Sequence, residues 1–484
     1  MKNIQNLCNR LASFRVIPFL IIGIFVLAYS TLSFIKHAHF HTGYDLAIAD
    51  QAIYNYSRFQ EPISTVHAFF DASILQDHIE IIYIIISPIY WVFPSVYVLL
   101  FLQVCAITLS SYAVYLLARK YNLQPILRIS LMVSYLTFYG IQFALWSDVH
   151  SLVFGVSFLA FFIYFLEVKN WRLAIVFFLL CILSKEDMAL LTGTIAGIQF
   201  LRSRDFRYCY FVAASIGYLL FLFFGYYPYF TRDGYRYAGE SGIFSNLSPQ
   251  LMIDTPEKRS VYLYSFLHFG LLPIFAPLTL LASFVDLSHY FVLGGEKVTS
   301  AQGLFLHYRS TISILLMWST IVAIGKFKKL NNLYCAVYLI ICAMIVQYLL
   351  HLPLSYLAKK WFWTAPASVE SIHTMIEQIP QDSSIATQVN ILPHVTHNTH
   401  VYTIFPDSIA TNSASLCGKS TCHIIKWGGS PQYLLIDLDP AWNTLHLLKN
   451  REDFIEALSV LEKKGEIKKI STINTTSLYE IKSK

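Results

Sequence analysis

The sequence predicts a mainly α, polytopic transmembrane helical bundle of about 9–11 spans, with a small C-terminal α/β soluble domain. Three observations predict it. Only 13% of the 484 residues are charged, 56% are hydrophobic and the mean hydropathy is +0.52. A soluble chain carries roughly a quarter charged residues, and a single core stops growing at about 250–300 residues, so the deficit cannot be hidden in one large core. Apolar runs of bilayer length recur along the first three quarters of the chain. Charge then rises: 22 of the 120 residues from Ala365 to Lys484 are charged, against 42 of the first 364. The chain therefore divides into a membrane part, residues 1–364, and a soluble domain, residues 365–484. The same figures exclude a disordered chain, a collagen-like repeat and a disulfide-stapled mini-fold. The net charge of +6 does not point to nucleic acid, because no basic cluster is interleaved with aromatic residues on one face.

The first apolar run, Val16 to Ile35, follows Lys2, Arg10 and Arg15. It is long enough to cross a bilayer and longer than the core of a signal peptide, so an uncleaved span is expected. Further spans are expected at Val96–Ala118, Ile126–Trp146, Leu152–Leu166, Leu173–Leu183, Met188–Leu201, Tyr208–Tyr227, Ser310–Ile324 and Leu333–Leu352. Two segments are irregular. Ile79–Phe93 is short and holds Pro88, which suits a re-entrant or interfacial helix. Leu263–Val292 is broken by Pro273 and Pro277 into one kinked span or two.

Basic residues in short loops mark the cytoplasmic side. Arg119, Lys120, Arg128, Lys169, Arg172, Arg202, Arg204, Arg207 and Lys326 with Lys328 and Lys329 fall in one set of loops. The opposite, outer face then receives two long loops, 36–78 and 229–260, the turns Ser147–His150 and Ser184–Asp187, and the terminal domain. In that domain the pattern predicts a helix over Ser368–Ile379, strands near Ile385–Gln388, Val401–Phe405 and Tyr433–Asp437, a helix over Glu452–Lys464, and strands over Ile467–Ile473 and Ser477–Ile481.

The outer face carries the residues suited to chemistry. In the first loop, Asp45 either caps the helix that follows Gly43 or offers a carboxylate base. Asp50, with Gln51 beside it and Tyr54 one turn on, is either a solvated face or a substrate contact. Asp77-His78 precedes the short apolar helix. Asp148-Val-His150 is a polar turn between spans, or a pair that supplies ligands for a divalent cation or a base with its orienting partner. Ser184-Lys185-Glu186-Asp187 puts a lysine on the outer face against the charge bias, either to tie the bundle or to bind a phosphate. Arg232 and Arg236, beside Tyr235 and Tyr237, suit either lipid headgroups or an anionic ligand. Gly418-Lys419-Ser420 is not a phosphate loop, since Ser413 stands where the first glycine belongs. His394, His397 and His400 with Cys417, Cys422 and His423 fit no standard zinc spacing. On an external domain Cys417 and Cys422 would instead pair as a disulfide.

Tyr44-Asp45-Leu-Ala-Ile-Ala-Asp50-Gln51, Asp77-His78 before Ser87-Pro88-Ile89-Tyr90, Leu102-Gln103, Asp148-Val-His150 and His307-Tyr308 resemble a prokaryotic predicted-membrane-protein family catalogued as a domain of unknown function (number two-zero-seven-nine), from about Thr42 to Asp439. That family carries no established activity. The architecture is more distantly similar to the C superfamily of integral-membrane glycosyltransferases (GT-C), in which a long outer loop carries an acidic residue at the start of an interfacial helix. Asp45 matches that position, and Asp148 matches a second acidic position after a later span. The sequence departs from that superfamily in having Leu46 after Asp45 and only Ser87-Pro88 in place of a Pro-Pro-Leu signature.

What this resemblance implies is a lipid-linked-sugar glycosyltransferase at the outer face of the cytoplasmic membrane. Asp45 and Asp148 would be catalytic. Asp50, Gln51, His78, Lys185, Glu186, Arg232 and Arg236 would bind substrate, and Asp148 with His150 would hold a divalent cation such as Mg or Mn. The partners would be membrane lipid, a polyprenyl-phosphate-linked sugar donor and a glycan or protein acceptor. A transporter or flippase of a lipid-linked precursor is the alternative, and a non-catalytic envelope scaffold a third. Against transport stand the lack of an internal repeat and mid-span polar residues that are mainly amides: Gln103, Gln142, Gln199 and Gln347.

Overall fold

In the computed structural model, residues 15–66, 72–231, 248–293, 303–327, 332–410, 416–439 and 451–482 are described. The chain forms two compact units. The first comprises residues 1–33, 75–85 and 97–359, and the second residues 34–74, 86–96 and 360–484.

The first unit is helical. Five helices of the described chain are long and apolar enough to cross a membrane: Ile17–Ala38, Val96–Lys120, Arg207–Phe230, His307–Lys326 and Asn332–Leu349. The first, third and fifth leave two thirds or more of their apolar windows uncovered by protein, whereas the window of His307–Lys326 is 89% buried. An apolar surface of that extent is stable only against lipid, so those three helices face lipid, His307–Lys326 lies at the centre of the bundle, and Val96–Lys120, 56% buried, is intermediate. Three expected spans form shorter apolar helices, Ser151–Glu167, Trp171–Ile182 and Met188–Ser203, which is why the described spans are fewer than the nine or more read from the sequence.

The single span expected over Ile126–Trp146 is two helices, Pro125–Leu136 and Tyr139–Trp146, bent by 47°. The break strands backbone groups that a continuous helix would pair. Gln142 Nε2 donates to Thr137 O at 2.7 Å and to Gln347 Oε1 at 2.7 Å, and Gln142 Oε1 accepts from Leu354 N at 2.9 Å. Two of the mid-span amides thus act as splints for a broken helix. Leu263–Val292 is likewise divided. Helices Pro256–His268 and Pro277–Ser288 flank a 3-10 turn, after Gly270 and Leu271 both adopt left-handed conformations. Ile82–Trp91 is a short apolar helix, too short to cross a bilayer.

At another end of the bundle, Glu167 accepts from Lys120 Nζ, Arg202 Nη1 and, at 2.9 Å, Trp318 Nε1. Tyr121 Oη donates to the same carboxylate at 3.1 Å. Lys120 and Arg202, read from sequence as loop charges, are therefore also partners of one buried acid.

The second unit is α/β. A two-stranded ribbon pairs β1 (Ile63–Ser64) with β2 (Ala72–Ser73). The main sheet has six strands: β3 (Ser384–Thr387), β4 (His400–Ala410), β5 (Thr421–Trp427), β6 (Tyr433–Asp437), β7 (Ile467–Ile473) and β8 (Thr476–Ile481), in the order β5-β4-β3-β6-β8-β7. β4, β3 and β6 run parallel and the outer pairs are antiparallel. Ser384–Thr387 is buried at every position, as a central parallel strand must be. Helix Arg451–Lys463 packs Phe454, Ala457, Leu458 and Leu461 on one apolar core with Ile404, Leu434 and Ile436. A second core holds Ile372 and Met375 of helix Val369–Glu377 with Ile385, Val401, Leu435 and Leu478, and takes in Phe40, Ala47 and Val66. The segment read as a loop of the membrane part thus contributes to a core of the sheet domain. Its tie is also polar: Thr65 Oγ1 donates to Val401 O at 2.8 Å and accepts from Val401 N at 3.0 Å, and Thr403 Oγ1 donates to Val66 O at 2.6 Å.

Candidate functional site

In the helical unit the polar turns converge. Ser184 Oγ donates to Leu180 O at 2.7 Å, which ends helix Trp171–Ile182 and turns Lys185 and Glu186 inward, where both are buried. Gly155 allows this turn to approach its neighbouring helix. A Cβ there would lie 2.9 Å from Met188 Sδ and 3.2 Å from Ser184 Cβ. Ile82 N donates to Leu183 O at 2.8 Å and so pins residues 78–82 against the same turn.

His78 Nδ1 then lies 2.6 Å from Glu186 Oε1, and Glu80 Oε1 accepts from Ser151 Oγ at 2.5 Å. Gln103 clamps the remaining turn: its Oε1 accepts from His150 N at 2.8 Å and its Nε2 donates to Asp148 O at 3.2 Å. The His150 ring stacks on His307 with centroids 3.4 Å apart. Lys185 Nζ lies 5.7 Å from the centre of the Tyr308 ring, and Tyr290 Oη donates to Asp187 Oδ2 at 3.4 Å. Arg309 is fully buried, with its guanidinium 4.8 Å from the Tyr290 ring centre. Its backbone passes so close to Gly140 that a Cβ there would sit 2.1 Å from Arg309 O.

Burial disfavours charge at each of these groups, and their mutual attraction opposes it. Burial is the largest influence on His78 and lowers it, but attraction and hydrogen bonding from Glu186, with Asp77, together raise the imidazole above its ordinary value. Burial would raise Glu186, yet His78 and Lys185 hold it below the usual carboxylate range. Burial also opposes the charge on Lys185, and Asp187, Tyr308, Glu186 and Glu80 together hold it above the usual lysine range. Glu80 is raised, chiefly by burial. The result is a buried cluster holding a cation, an imidazole and several acids in different protonation environments.

Asp148 and His150 are half-buried. Among the described residues they do not join a third side chain close enough to share an ion. The one group of three potential ligands is Cys417, Cys422 and Glu456, and its cysteines are joined in a disulfide. The described structure thus offers two side chains, Asp148 and His150, for the divalent cation expected there, and the His150 ring is engaged in its stack.

In the second unit, Gly43 caps helix Tyr44–Ser57, and no side chain caps it. Asp45, expected as a possible cap, is instead exposed in the first turn, where the helix dipole favours a carboxylate. Asp50, expected as a possible solvated face, is fully buried. It accepts from Tyr90 Oη and Thr396 Oγ1. His397 Nε2 lies 3.0 Å from Asp50 Oδ2, at an angle too poor for a hydrogen bond. Gln51 is also buried, its Oε1 accepting from Thr65 N at 2.9 Å and its Nε2 donating to Thr65 Oγ1 at 2.9 Å. Arg232 and Arg236 lie outside the described residues.

His78, Lys185, Glu186 and His150 are thus gathered in one unit, while Asp45, Asp50 and Gln51 belong to the other. Sequence reasoning missed Arg309 in the first cluster and Thr396 beside Asp50; Glu80, Asp187, Tyr90 and His397 lie in motifs it singled out, but it gave them no place in these clusters. Their partners lie up to 346 residues away in sequence, and no local spacing signals such pairs.

A family model described as "Predicted membrane protein (DUF2079)" matches residues 36–453. The chain belongs to this family. The match takes in both clusters and most of the sheet domain, as the resemblance of the Tyr44–Gln51, Asp77-His78 and Asp148–His150 motifs implies. A search of curated proteins found no match.

Proposed function

We propose that this member of the family is an integral-membrane glycosyltransferase. It uses a polyprenyl-phosphate-linked sugar at the outer face of the cytoplasmic membrane, with the N-terminus cytoplasmic and the sheet domain on the outer side. The observation supporting this reading is the buried cluster of Lys185, Glu186, His78 and Glu80, placed at helix ends in a lipid-facing bundle. A charged lysine in such a setting suits a phosphate leaving group, whose developing charge it would stabilise. Arg232 and Arg236 would add to that role. Asp45 would take the proton of an acceptor hydroxyl as its oxygen attacks the anomeric carbon. The bond from that carbon to the phosphate oxygen would break, with its electron pair leaving on the phosphate. Asp148 with His150 would hold a divalent cation such as Mg or Mn, or bind the leaving phosphate itself.

The same cluster favours a second reading, a transporter or flippase of a lipid-linked precursor, because buried acids paired with a lysine and a histidine also suit a proton relay. One experiment separates them. Proteoliposomes containing the full chain are loaded with labelled polyprenyl-phosphate sugars and an acceptor mixture. A transferase releases free polyprenyl phosphate, and both Asp45→Asn and Lys185→Met abolish the release while expression stays normal. Movement of the intact lipid-linked sugar without release overturns the transferase reading, as does full release by Asp45→Asn.

A further inference from the structure

The second unit contains a cavity of about 470 Å³ to which no function has yet been given. Its volume falls within the about 300–1,000 Å³ typical of small-molecule sites. It is built by the C-terminal half of helix Tyr44–Ser57, the loop that leads into β1, and the turn before β4.

Its chemistry is unusual for a membrane protein. Five amide side chains line it: Gln51, Asn55, Gln60, Gln381 and Asn398. Three threonine hydroxyls, of Thr65, Thr396 and Thr399, and the Tyr54 phenol join them, and Ile63 is the one aliphatic residue of the lining. The formal charges are single and opposite, Arg58 and Glu61.

Each alternative ligand class meets a specific obstacle. A lipid tail needs apolar walls. A phosphate or nucleotide needs clustered cations or paired arginines, and Arg58 stands beside an acid and lies 4.1 Å from the centre of the Tyr54 ring. A divalent cation needs several oxygen ligands, acids above all, and Glu61 is the single carboxylate of the lining. A neutral, polyhydroxylated molecule meets none of these obstacles. Each of its hydroxyls donates and accepts at once; the Gln60 and Gln381 amides offer both capacities, and Asn55 and Asn398, each with one amide hydrogen bonded to a backbone carbonyl, keep their side-chain oxygens as acceptors.

The deep wall is also fixed in advance. Gln51 is locked to Ser64 and Thr65 through both ends of its amide, Thr65 is locked to the backbone of β4, and Thr396 is held by the buried Asp50. Tyr54 is held flat against His397, with ring centroids 4.1 Å apart. Such preorganisation removes much of the ordering cost of binding a polar ligand.

We propose that this cavity is a binding site for a neutral saccharide of one or two rings. The assignment stands without the transferase reading, since binding requires neither donor nor turnover.

The test uses the full chain in lipid nanodiscs free of glycoside detergents. A panel of glucose, galactose, mannose, N-acetylglucosamine, maltose, cellobiose and lactose is titrated and followed by ligand-observed magnetic resonance and calorimetry. At least one sugar is expected to bind saturably. Loss of two rim amides in Gln60→Ala/Gln381→Ala should weaken it about tenfold or more, as two hydrogen bonds are removed. Both side chains are exposed, so this variant should melt as the parent does. Asn55→Ala provides a second, deeper substitution with the same expected direction. Equimolar inorganic phosphate should not displace the sugar. Absence of saturable binding across the panel overturns the proposal, as do undiminished binding by both variants and displacement by phosphate.

Discussion

His78 Nδ1 and Glu186 Oε1 lie 2.6 Å apart although 108 residues separate them. Glu186 is buried and His78 mostly so, so the pair holds the short segment before Ile82 against the Lys185 turn. Breaking a buried pair from one side typically costs about 3–5 kcal/mol, because the other charge is left uncompensated. Glu186→Gln is therefore expected to lower the apparent melting temperature in nanodiscs by several degrees. An unchanged melting curve would show that the pair contributes nothing net.

The same pair predicts a pH dependence. His78 titrates above its ordinary value of 6.5 when folded, so its contribution is complete below that value and is lost as pH rises through the raised folded value. Glu186 titrates below 4.5, so its contribution is complete above that value and is lost as pH falls through the depressed folded value. Stability measured against pH should thus show a plateau between about pH 4.5 and 6.5 that declines on both sides. In His78→Asn the alkaline decline should flatten.

Gly140 is predicted to be intolerant of any side chain. A Cβ would meet Arg309 O at 2.1 Å, and backbone cannot rotate away. Gly140→Ala should cost about 1–3 kcal/mol or more by overpacking, whereas Gly217→Ala, which meets nothing within 4 Å, should be neutral or slightly stabilising through helix propensity. Side-by-side thermal melts of the two variants decide the matter. Equal effects would contradict the close approach.

Glu167 should behave as a structural acid. Glu167→Gln leaves Lys120 and Arg202 facing each other without their shared carboxylate, and a loss of about 3–5 kcal/mol is expected. Because this cluster is separate from the Lys185 turn in sequence and partners, any polyprenyl-phosphate release by the surviving folded fraction should keep the parent's rate per molecule. A selective loss of turnover in well-folded protein would assign Glu167 a chemical role.

Cys417 and Cys422 are joined across five positions next to β5. So short a loop restricts the unfolded chain little, and the entropic model gives roughly 2 kcal/mol. Cys417→Ser should therefore weaken the sheet domain modestly without unfolding it. A membrane-impermeant maleimide applied to intact spheroplasts should label these thiols after reduction and not before. Labelling without reduction would show the thiols accessible and unpaired, and no labelling even after reduction would place them on the side the reagent cannot reach, where thiols stay reduced.

Much of the architecture is legible in the sequence because it rests on local periodicity and composition. Tyr433–Asp437 and Ile467–Ile473 form strands at the expected bounds, and the helix expected over Glu452–Lys464 is observed over Arg451–Lys463. β5 was not foreseen: its burial alternates only in part, and its pairing with β4 depends on contacts that a one-dimensional pattern does not encode. The apolar face of Tyr44–Ser57 was legible, but what it faces was not, since amphipathicity does not distinguish a membrane surface from a protein core. Asp50 shows the same limit. Its polarity suggested water, and its actual surroundings, Tyr90, Thr396 and His397, come from distant parts of the chain. Gln142 and Gln347 read as mid-membrane polar groups and turn out to mend a broken helix.

The second unit is assembled from residues 34–74, 86–96 and 360–484. During synthesis its first piece emerges early, and the strands that complete its core are made only after some three hundred further residues, most of which enter the helical unit. Phe40, Ala47 and Val66 must therefore wait, with their apolar faces uncovered, until translation is almost finished. A ribosome stalled before Ser384 would leave a chain whose helices can insert but whose first segment has no sheet to join, which makes that nascent state a natural client for membrane chaperones and quality-control proteases.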